Sequence, residues 1–282
     1  MEVHLLEPRG FCRGVQRAVE LLDETLAENG PPVYVYHEIV HNTAVVNSFH
    51  EKGAIFVETL DEVPTGSVIL YSAHGVSPAV REAAAERNLK QVDATCPLVA
   101  KLHEEAKLAA AENRSLFLIG YPNHDEVVGI LGEAPENIFL IASEEDARNV
   151  SPPSEARMSV LTQTTVSSEF TEPLIAILAE RFPQLDHQEA TGMCDATRRR
   201  QQAVRDAAQE TDLLLVVGSA NSSNSRRLQE IAAEKTTAQL VDGPDDINLS
   251  LLTPNAHVAI TAGASVPEAI VQACVAKVKR EG

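Results

Sequence analysis

The sequence predicts an α/β protein built from three small βα domains. Short apolar runs rich in β-branched residues alternate with segments of helical periodicity, and Cys12, Cys96 and Cys194 divide the chain into pieces of similar length. Repeated βα units form mostly parallel sheets that are covered by helices. We therefore expect three related α/β domains that meet at a shared centre, comprising residues 14–96, 97–193 and 194–282, with residues 1–13 joining the third domain there.

Six segments have the composition of buried strands. Each is short, apolar and rich in β-branched residues, and each is followed by polar or glycine-containing residues. In chain order the predicted strands are Pro32–Tyr36, Ser67–Tyr71, Leu116–Ile119, Ser159–Leu161, Leu213–Val217 and His257–Thr261.

Helices are predicted between these strands. Apolar residues that recur every three or four positions mark the side of a helix that faces a core. Two such stripes are Val15, Ala18, Val19, Leu22 and Leu26, and Leu98, Val99, Leu102, Ala106 and Ala109.

Composition excludes several classes of partner. The 23 basic and 41 acidic residues give a formal net charge of −18, which repels nucleic acid and anionic membranes. The N-terminal residues lack the basic and apolar regions of a signal peptide, and no apolar run is long enough to span a membrane. We therefore expect a cytoplasmic protein without nucleic-acid or membrane partners, whose cysteines are free, catalytic or metal-bound.

Three of the four cysteines occupy the same kind of position. Cys12, Cys96 and Cys194 each lie in a loop that leads into a predicted helix. The unpaired N–H groups and partial positive charge of a helix N-terminus stabilise a thiolate or a metal-bound sulfur. Cys274 lies instead on an apolar helical stripe and is expected in the core.

Three explanations fit the cysteines. They are three unrelated core residues, or they are ligands of zinc, although structural zinc sites usually contain CxxC pairs, or they hold an iron–sulfur cluster. Such clusters normally have four thiolate ligands, so three would leave one iron open to bind a substrate as a Lewis acid. Three single cysteines at helix starts favour one 4Fe–4S cluster with three cysteine ligands.

Polar side chains follow the predicted strands, at the sheet edge where α/β proteins bind ligands. Such neutral or cationic donors can bind phosphate locally despite the acidic net charge. The donors are His41, His74, His124, Ser222, Ser223, Asn224 and Ser265. The alternative for Ser265 is a helix-capping box with Glu268.

Glu126 is the best candidate for delivering protons. It follows His124 by two positions and begins the apolar run Val127–Leu131. A carboxyl group among apolar walls is able to hold and release a proton near neutral pH. Alternatively, Glu126 is a first-turn helix residue that the helix dipole favours.

Eight segments together carry a resemblance that covers nearly the whole chain in order. They are PRGFCRGV, HEIVHN, SAHGVS, DATCPLV, HDEVVG, TQTT, GSANSSNS and TAGAS. With these segments the chain resembles the 4-hydroxy-3-methylbut-2-enyl diphosphate reductases, the last enzymes of the non-mevalonate isoprenoid pathway. The resemblance implies a cloverleaf of three α/β domains, in pseudo-threefold arrangement around a central 4Fe–4S cluster.

The resemblance also implies a reaction and its residues. Cys12, Cys96 and Cys194 would hold the cluster, while Glu126, Thr164 and His124 would handle protons and the allylic hydroxyl. The substrate would be a small allylic diphosphate, reduced to isopentenyl and dimethylallyl diphosphates with electrons from a ferredoxin or flavodoxin. The implied diphosphate ligands are His41, His74, His124, Ser222, Ser223, Asn224 and Ser265.

Two departures from the family pattern stand out. Asp125 replaces the usual proline between His124 and Glu126, which predicts a raised pKa for Glu126 or a redirected proton path. After Cys194 the chain has Asp195 and three successive arginines, Arg198–Arg200, where the family more often has an aromatic residue and fewer arginines. A paralogue with another allylic or phosphorylated substrate, an iron–sulfur sensor or electron carrier, and a zinc hydrolase remain alternatives.

Overall fold

The computed structural model describes residues 1–152 and 157–282, with residues 187–191 described by their backbone alone. The strands are β1 Glu2–Leu5, β2 Val33–Tyr36, β3 Ala54–Val57, β4 Val68–Tyr71, β5 Lys90–Asp93, β6 Ser115–Ile119, β7 Ile138–Ile141, β8 Met158–Thr162, β9 Leu185–Thr191, β10 Leu213–Val217, β11 Thr237–Val241 and β12 His257–Ala262. The α-helices are α1 Arg13–Asn29, α2 Thr43–Glu51, α3 Pro78–Glu86, α4 Pro97–Ala111, α5 Asp125–Leu131, α6 Glu144–Asn149, α7 Ser168–Arg181, α8 Asp195–Ala207, α9 Ser223–Ala233 and α10 Glu268–Glu281.

The strands form three separate parallel sheets of four strands, which confirms the predicted α/β class. Sheet I has the order β3-β2-β4-β5, sheet II has β7-β6-β8-β9 and sheet III has β11-β10-β12-β1. When the strands of each sheet are numbered in chain order, and β1 is counted as the fourth strand of sheet III, all three sheets have the order second, first, third, fourth. The N-terminal strand thus completes the sheet formed by the C-terminal segment.

The six strands predicted from the sequence are the six interior strands. In β4, β6 and β10 every residue is buried, and burying such a Leu, Ile or Val side chain contributes about 1.5–3 kcal/mol. The strands absent from the prediction are the six edge strands. In two of them, β1 and β5, every residue is exposed or partly exposed, because only part of an edge strand is covered.

The predicted helical stripes are largely confirmed. In α1, Ala18, Leu22 and Leu26 are buried. In α4 the stripe begins at Val99, whereas Leu98 is 45% exposed, because it lies one position away from the face that the other four residues share.

The chain groups into two compact units. One unit comprises Met1–Gln16, Val40–Glu51 and Cys194–Gly282 and contains sheet III; the other comprises Arg17–Ile39 and Lys52–Met193 and contains sheets I and II. Among the described helices, none has the length and apolarity that crossing a membrane requires.

Candidate functional site

Each of the three sheets has a topological switch point between its first and third strands in chain order. In this strand order the connections change direction there, and α/β proteins bind ligands outside the carboxyl ends of strands at such a point. The register brings the two strand ends side by side, since Tyr36 pairs with Tyr71, Ile119 with Thr162, and Val217 with Ala262. The predicted polar residues all follow these six interior strands.

The three predicted cysteine ligands occupy equivalent positions. Cys12, Cys96 and Cys194 each follow the fourth strand of a sheet and immediately precede a helix. The backbone N–H of Cys12 donates to the carbonyl of Ala264, and that of Cys96 donates to the carbonyl of Ala73, each acceptor following the third strand of the same sheet. The three cysteines therefore have the same place between strand and helix, and Cys12 and Cys96 also share the same backbone hydrogen bond.

The sulfurs of Cys12 and Cys194 accept hydrogen bonds from the helices that these residues precede. The Val15 N–H lies 3.5 Å from Cys12 Sγ, and the Thr197 N–H lies 3.3 Å from Cys194 Sγ. All three side chains are partly exposed. Cys274 differs, because it lies on the core-facing side of α10 and is fully buried, and this burial raises its pKa to about 11.

Sheet III carries the short neutral donors. Ser222 caps α9 by accepting a hydrogen bond from the Ser225 N–H, while Ser223 and Asn224 are buried in the first turn. Neither the nitrogen nor the oxygen of the Asn224 amide has a hydrogen-bond partner within the described chain. A buried amide without a partner costs free energy, so its position favours a ligand with donor or acceptor oxygens.

Ser265 and His41 come together in the same unit. Ser265 Oγ donates to the backbone carbonyl of His41 at 3.0 Å. Ser265 does not form the alternative capping box with Glu268, because the N-cap of α10 is Pro267 and no side chain caps this described helix. Glu268 instead pairs with Arg9 at 2.9 Å.

The other unit brings together two predicted histidines. The rings of His74 and His124 meet edge to face with centroids 5.6 Å apart. Nδ1 of His124 accepts a hydrogen bond from the Glu126 N–H at 3.2 Å. A ring nitrogen that accepts a hydrogen bond carries no proton, so this geometry fits the His124 tautomer with its N–H on Nε2.

Glu126 and Thr164 form a buried pair across the switch point of sheet II. The Thr164 N–H donates to Oε1 of Glu126 at 2.7 Å, and Thr164 Oγ1 donates to Oε2 at 2.6 Å. Glu126 is 2% exposed, and burial raises its pKa to about 7 although both hydrogen bonds act in the opposite direction. Its carboxyl group therefore exchanges a proton near neutral pH.

The Asp125 carboxylate lies close to two histidines. It lies 2.7 Å from Nδ1 of His37 and 3.8 Å from Nδ1 of His74. The raised pKa of Glu126 arises from burial, and the neighbouring Asp125 is not among its causes. The hydrogen bond that His37 donates to the Asp125 carboxylate raises the pKa of His37 above its usual value.

The pair of Asp125 and His37 predicts a pH-dependent contribution to stability. Because the pKa of His37 is raised on folding, the pair stabilises the protein fully below the unfolded pKa of about 6.5 and progressively less as the pH rises through the folded pKa. We expect Asp125→Asn to lower the free energy of unfolding by about 1 kcal/mol near pH 6, and by less near pH 9. Chemical denaturation at both pH values measures this change.

Asp61→Asn provides the control for this prediction. Asp61 is exposed and pairs with Arg87 at 3.3 Å, and arginine does not titrate in this range. Its substitution should have the same small effect at both pH values. A pH-independent effect of Asp125→Asn would show that the charge of His37 does not depend on Asp125.

Sequence reasoning missed two residues of the site. His37 lies within the HEIVHN segment, but the sequence does not show that it faces Asp125. Arg200 was noted as one of three arginines after Cys194, and the structure separates it from the other two because it is 2% exposed. Only the helical spacing of Arg200 from Thr197 and Val204, both buried, could have indicated this.

Comparisons with known proteins agree with this geometry. The family model described as LytB protein matches residues 3–279. The chain is 50% identical over 276 residues to the 4-hydroxy-3-methylbut-2-enyl diphosphate reductase of Rhodopirellula baltica, covering 98% of this chain and 86% of that protein. It is 48% identical over 282 residues to the protein of the same name from Mycobacterium ulcerans, covering 99% and 85%.

A solved structure is similar over almost the full length. It is the E-1-hydroxy-2-methyl-but-2-enyl-4-diphosphate reductase from Plasmodium falciparum, with a TM-score of 0.94 and 38% sequence identity. The similarity covers 98% of this chain and 87% of that chain.

Proposed function

This chain belongs to the LytB protein family of 4-hydroxy-3-methylbut-2-enyl diphosphate reductases. We therefore propose that it reduces 4-hydroxy-3-methylbut-2-enyl diphosphate to isopentenyl diphosphate and dimethylallyl diphosphate. The reaction breaks the allylic C–O bond and takes up two electrons and two protons. The oxygen leaves as water, and the diphosphate is retained. The observation that carries the proposal is the buried pair of Glu126 and Thr164, which holds an exchangeable proton near neutral pH.

We propose that Cys12, Cys96 and Cys194 hold one 4Fe–4S cluster. The equivalent positions of the three cysteines, and the hydrogen bonds that the sulfurs of Cys12 and Cys194 accept at helix starts, fit thiolate ligands of a cluster. When bound, such a cluster supplies electrons one at a time and an iron without a protein ligand. Cys274 is excluded from this set by its complete burial in a separate apolar core.

The proposed diphosphate ligands are those that follow the interior strands. The unpartnered amide of Asn224 supports this most directly, since phosphate oxygens would satisfy its nitrogen. Short donors and histidine N–H groups bind phosphate without a large net positive charge, which suits a chain with a net charge of −18. The full set is His41, His74, His124, Ser222, Ser223, Asn224 and Ser265.

The proton for the leaving hydroxyl would pass from Glu126 through Thr164. In its protonated form the Glu126 carboxyl donates to Thr164 Oγ1, whose own proton is then free to point toward the hydroxyl. The neutral ring of His124 contributes its Nε2–H as a further donor. An unactivated hydroxyl is a poor leaving group, so this proton delivery lowers the barrier, while the anchored diphosphate fixes the geometry.

The remaining assignments follow from the same proposal. The three domains, residues 14–96, 97–193 and 194–282 with 1–13, each contain one four-stranded sheet of the same order, which supports that division.

A ferredoxin or flavodoxin is the proposed electron donor, because each of these carriers transfers single electrons. The cytoplasm is the proposed location, since it keeps the cysteines reduced and able to bind iron.

An anaerobic reduction assay tests the proposed function. Protein reconstituted with iron and sulfide, with dithionite and a mediator as electron source, is given 4-hydroxy-3-methylbut-2-enyl diphosphate or the corresponding diol without its diphosphate. We expect the two isoprenoid diphosphates from the first compound and no measurable turnover of the second. Equal rates on both compounds would refute diphosphate recognition, and no product from either would refute the reductase.

A further inference from the structure

Arg200 is a buried cation on a helix whose two preceding arginines face solvent. In α8 the side chains of Arg198 and Arg199 are 70% and 65% exposed and lie near the carboxylate of Asp195. Arg200 is 2% exposed. A buried arginine cannot lose its proton, so its charge must be balanced by nearby groups.

The hydrogen bonds of Arg200 connect the loop before Cys12 with the helix start that follows Cys194. One guanidinium nitrogen, Nη2, donates to the carbonyl of Gly10 at 2.7 Å, two residues before Cys12. The other, Nη1, donates to the carbonyl of Ala196 at 3.2 Å, two residues after Cys194. The guanidinium therefore links the loop before Cys12 to the first turn of α8, the helix that follows Cys194, within the same unit.

These carbonyls satisfy hydrogen bonds but do not neutralise the charge. Within the described residues, no carboxylate forms an ion pair with Arg200, and its Nε has no hydrogen-bond partner. Burial lowers the pKa of Arg200, and the sulfurs of Cys12 and Cys194, taken as thiolates, act in the opposite direction. Glu7 makes a smaller contribution of the same sign as the sulfurs, and Arg199 one of the opposite sign.

We propose that Arg200 is the internal counter-charge of the site formed by Cys12 and Cys194, and that it raises the reduction potential of the cluster held there. The inference rests on the proposed function and adds a residue that positions and tunes the site without touching the substrate. Each electron that enters the cluster adds negative charge next to a fixed cation in a poorly solvated environment. The reduced state is therefore stabilised more than the oxidised state.

A set of three variants tests this charge effect. Arg200→Met removes the charge at similar length, Arg200→Lys retains it, and Arg199→Met removes an exposed arginine from the neighbouring position. The reduction potential of each reconstituted protein is measured by anaerobic titration followed by electron paramagnetic resonance. We expect Arg200→Met to shift the one-electron equilibrium at least tenfold toward the oxidised state, which corresponds to a decrease of 59 mV. Arg200→Lys should shift it much less, and Arg199→Met should not shift it.

Three results would overturn the inference. They are an unchanged potential in Arg200→Met, an equal shift in Arg200→Lys, and an equal shift in Arg199→Met. If Arg200→Met does not retain its cluster, the rate of iron loss to a chelator replaces the potential. Retention by Arg200→Lys would then support the charge effect, whereas equally fast loss from both variants would overturn it.

The wild-type protein separates this inference from the proposed function. A wild-type chain that binds no cluster after reconstitution would refute the proposed cofactor together with this inference. A wild-type chain that binds the cluster and reduces the substrate, with a potential that is insensitive to Arg200, would refute the inference alone.

Discussion

Cys96→Ser is expected to remove the cluster and abolish reductase activity. A serine oxygen is a much poorer ligand for iron in such clusters than a thiolate, and two remaining cysteines cannot hold four irons. Position 96 is well suited to this test, because it is the N-cap of α4 and serine is a favoured N-cap residue. The helix should therefore persist when the sulfur is lost. Iron and sulfide analysis after anaerobic reconstitution measures the effect.

Cys274→Ala is the matched control. Cys274 lies fully buried among Val271, Val275 and Val278, so its loss creates a small cavity but removes no ligand. We expect this variant to retain the wild-type iron content. If both variants lose iron to the same extent, or if Cys96→Ser retains it, the proposed set of three ligands is wrong.

Glu126→Gln is expected to lower turnover about 100-fold or more, which is the usual cost of losing a general acid. Glutamine can still accept the hydrogen bond from the Thr164 N–H, so the loop after β8 should keep its position. It cannot deliver a proton. Steady-state rates measured with the same reductant should fall, while the iron content stays unchanged.

The pH profile provides a second measurement on the same variant. Since burial raises the pKa of Glu126 to about 7, the wild-type rate should decline as the pH rises through that value and the carboxyl loses its proton. This decline should be absent in Glu126→Gln. Glu133→Gln serves as the control, because Glu133 is also buried but pairs with His103 at 2.6 Å. Near-normal turnover of Glu126→Gln would show that Glu126 is not the proton donor and only stabilises the first turn of its helix.

The interior of each sheet could be predicted from local sequence, whereas its edges could not. A strand covered on both faces must be apolar along its length, so Leu213–Val217 can be identified from composition alone. An edge strand such as Lys90–Asp93 is largely exposed and its residues resemble those of a loop. Its pairing with Val68–Tyr71 depends on a partner about 20 residues away, which a local pattern does not contain.

The chemistry of the site divides in the same way. The sequence by itself determined the α/β class, the cysteines at helix starts and the polar residues after the interior strands, because those features depend on residue type and short-range spacing. Tertiary structure alone decided the pKa of Glu126, the pairing of Asp125 with His37, and the hydrogen bond of the buried Arg200 to the loop before Cys12. The physical reason is that desolvation and electrostatic pairing depend on distances between residues far apart in the chain, such as the 190 positions between Gly10 and Arg200.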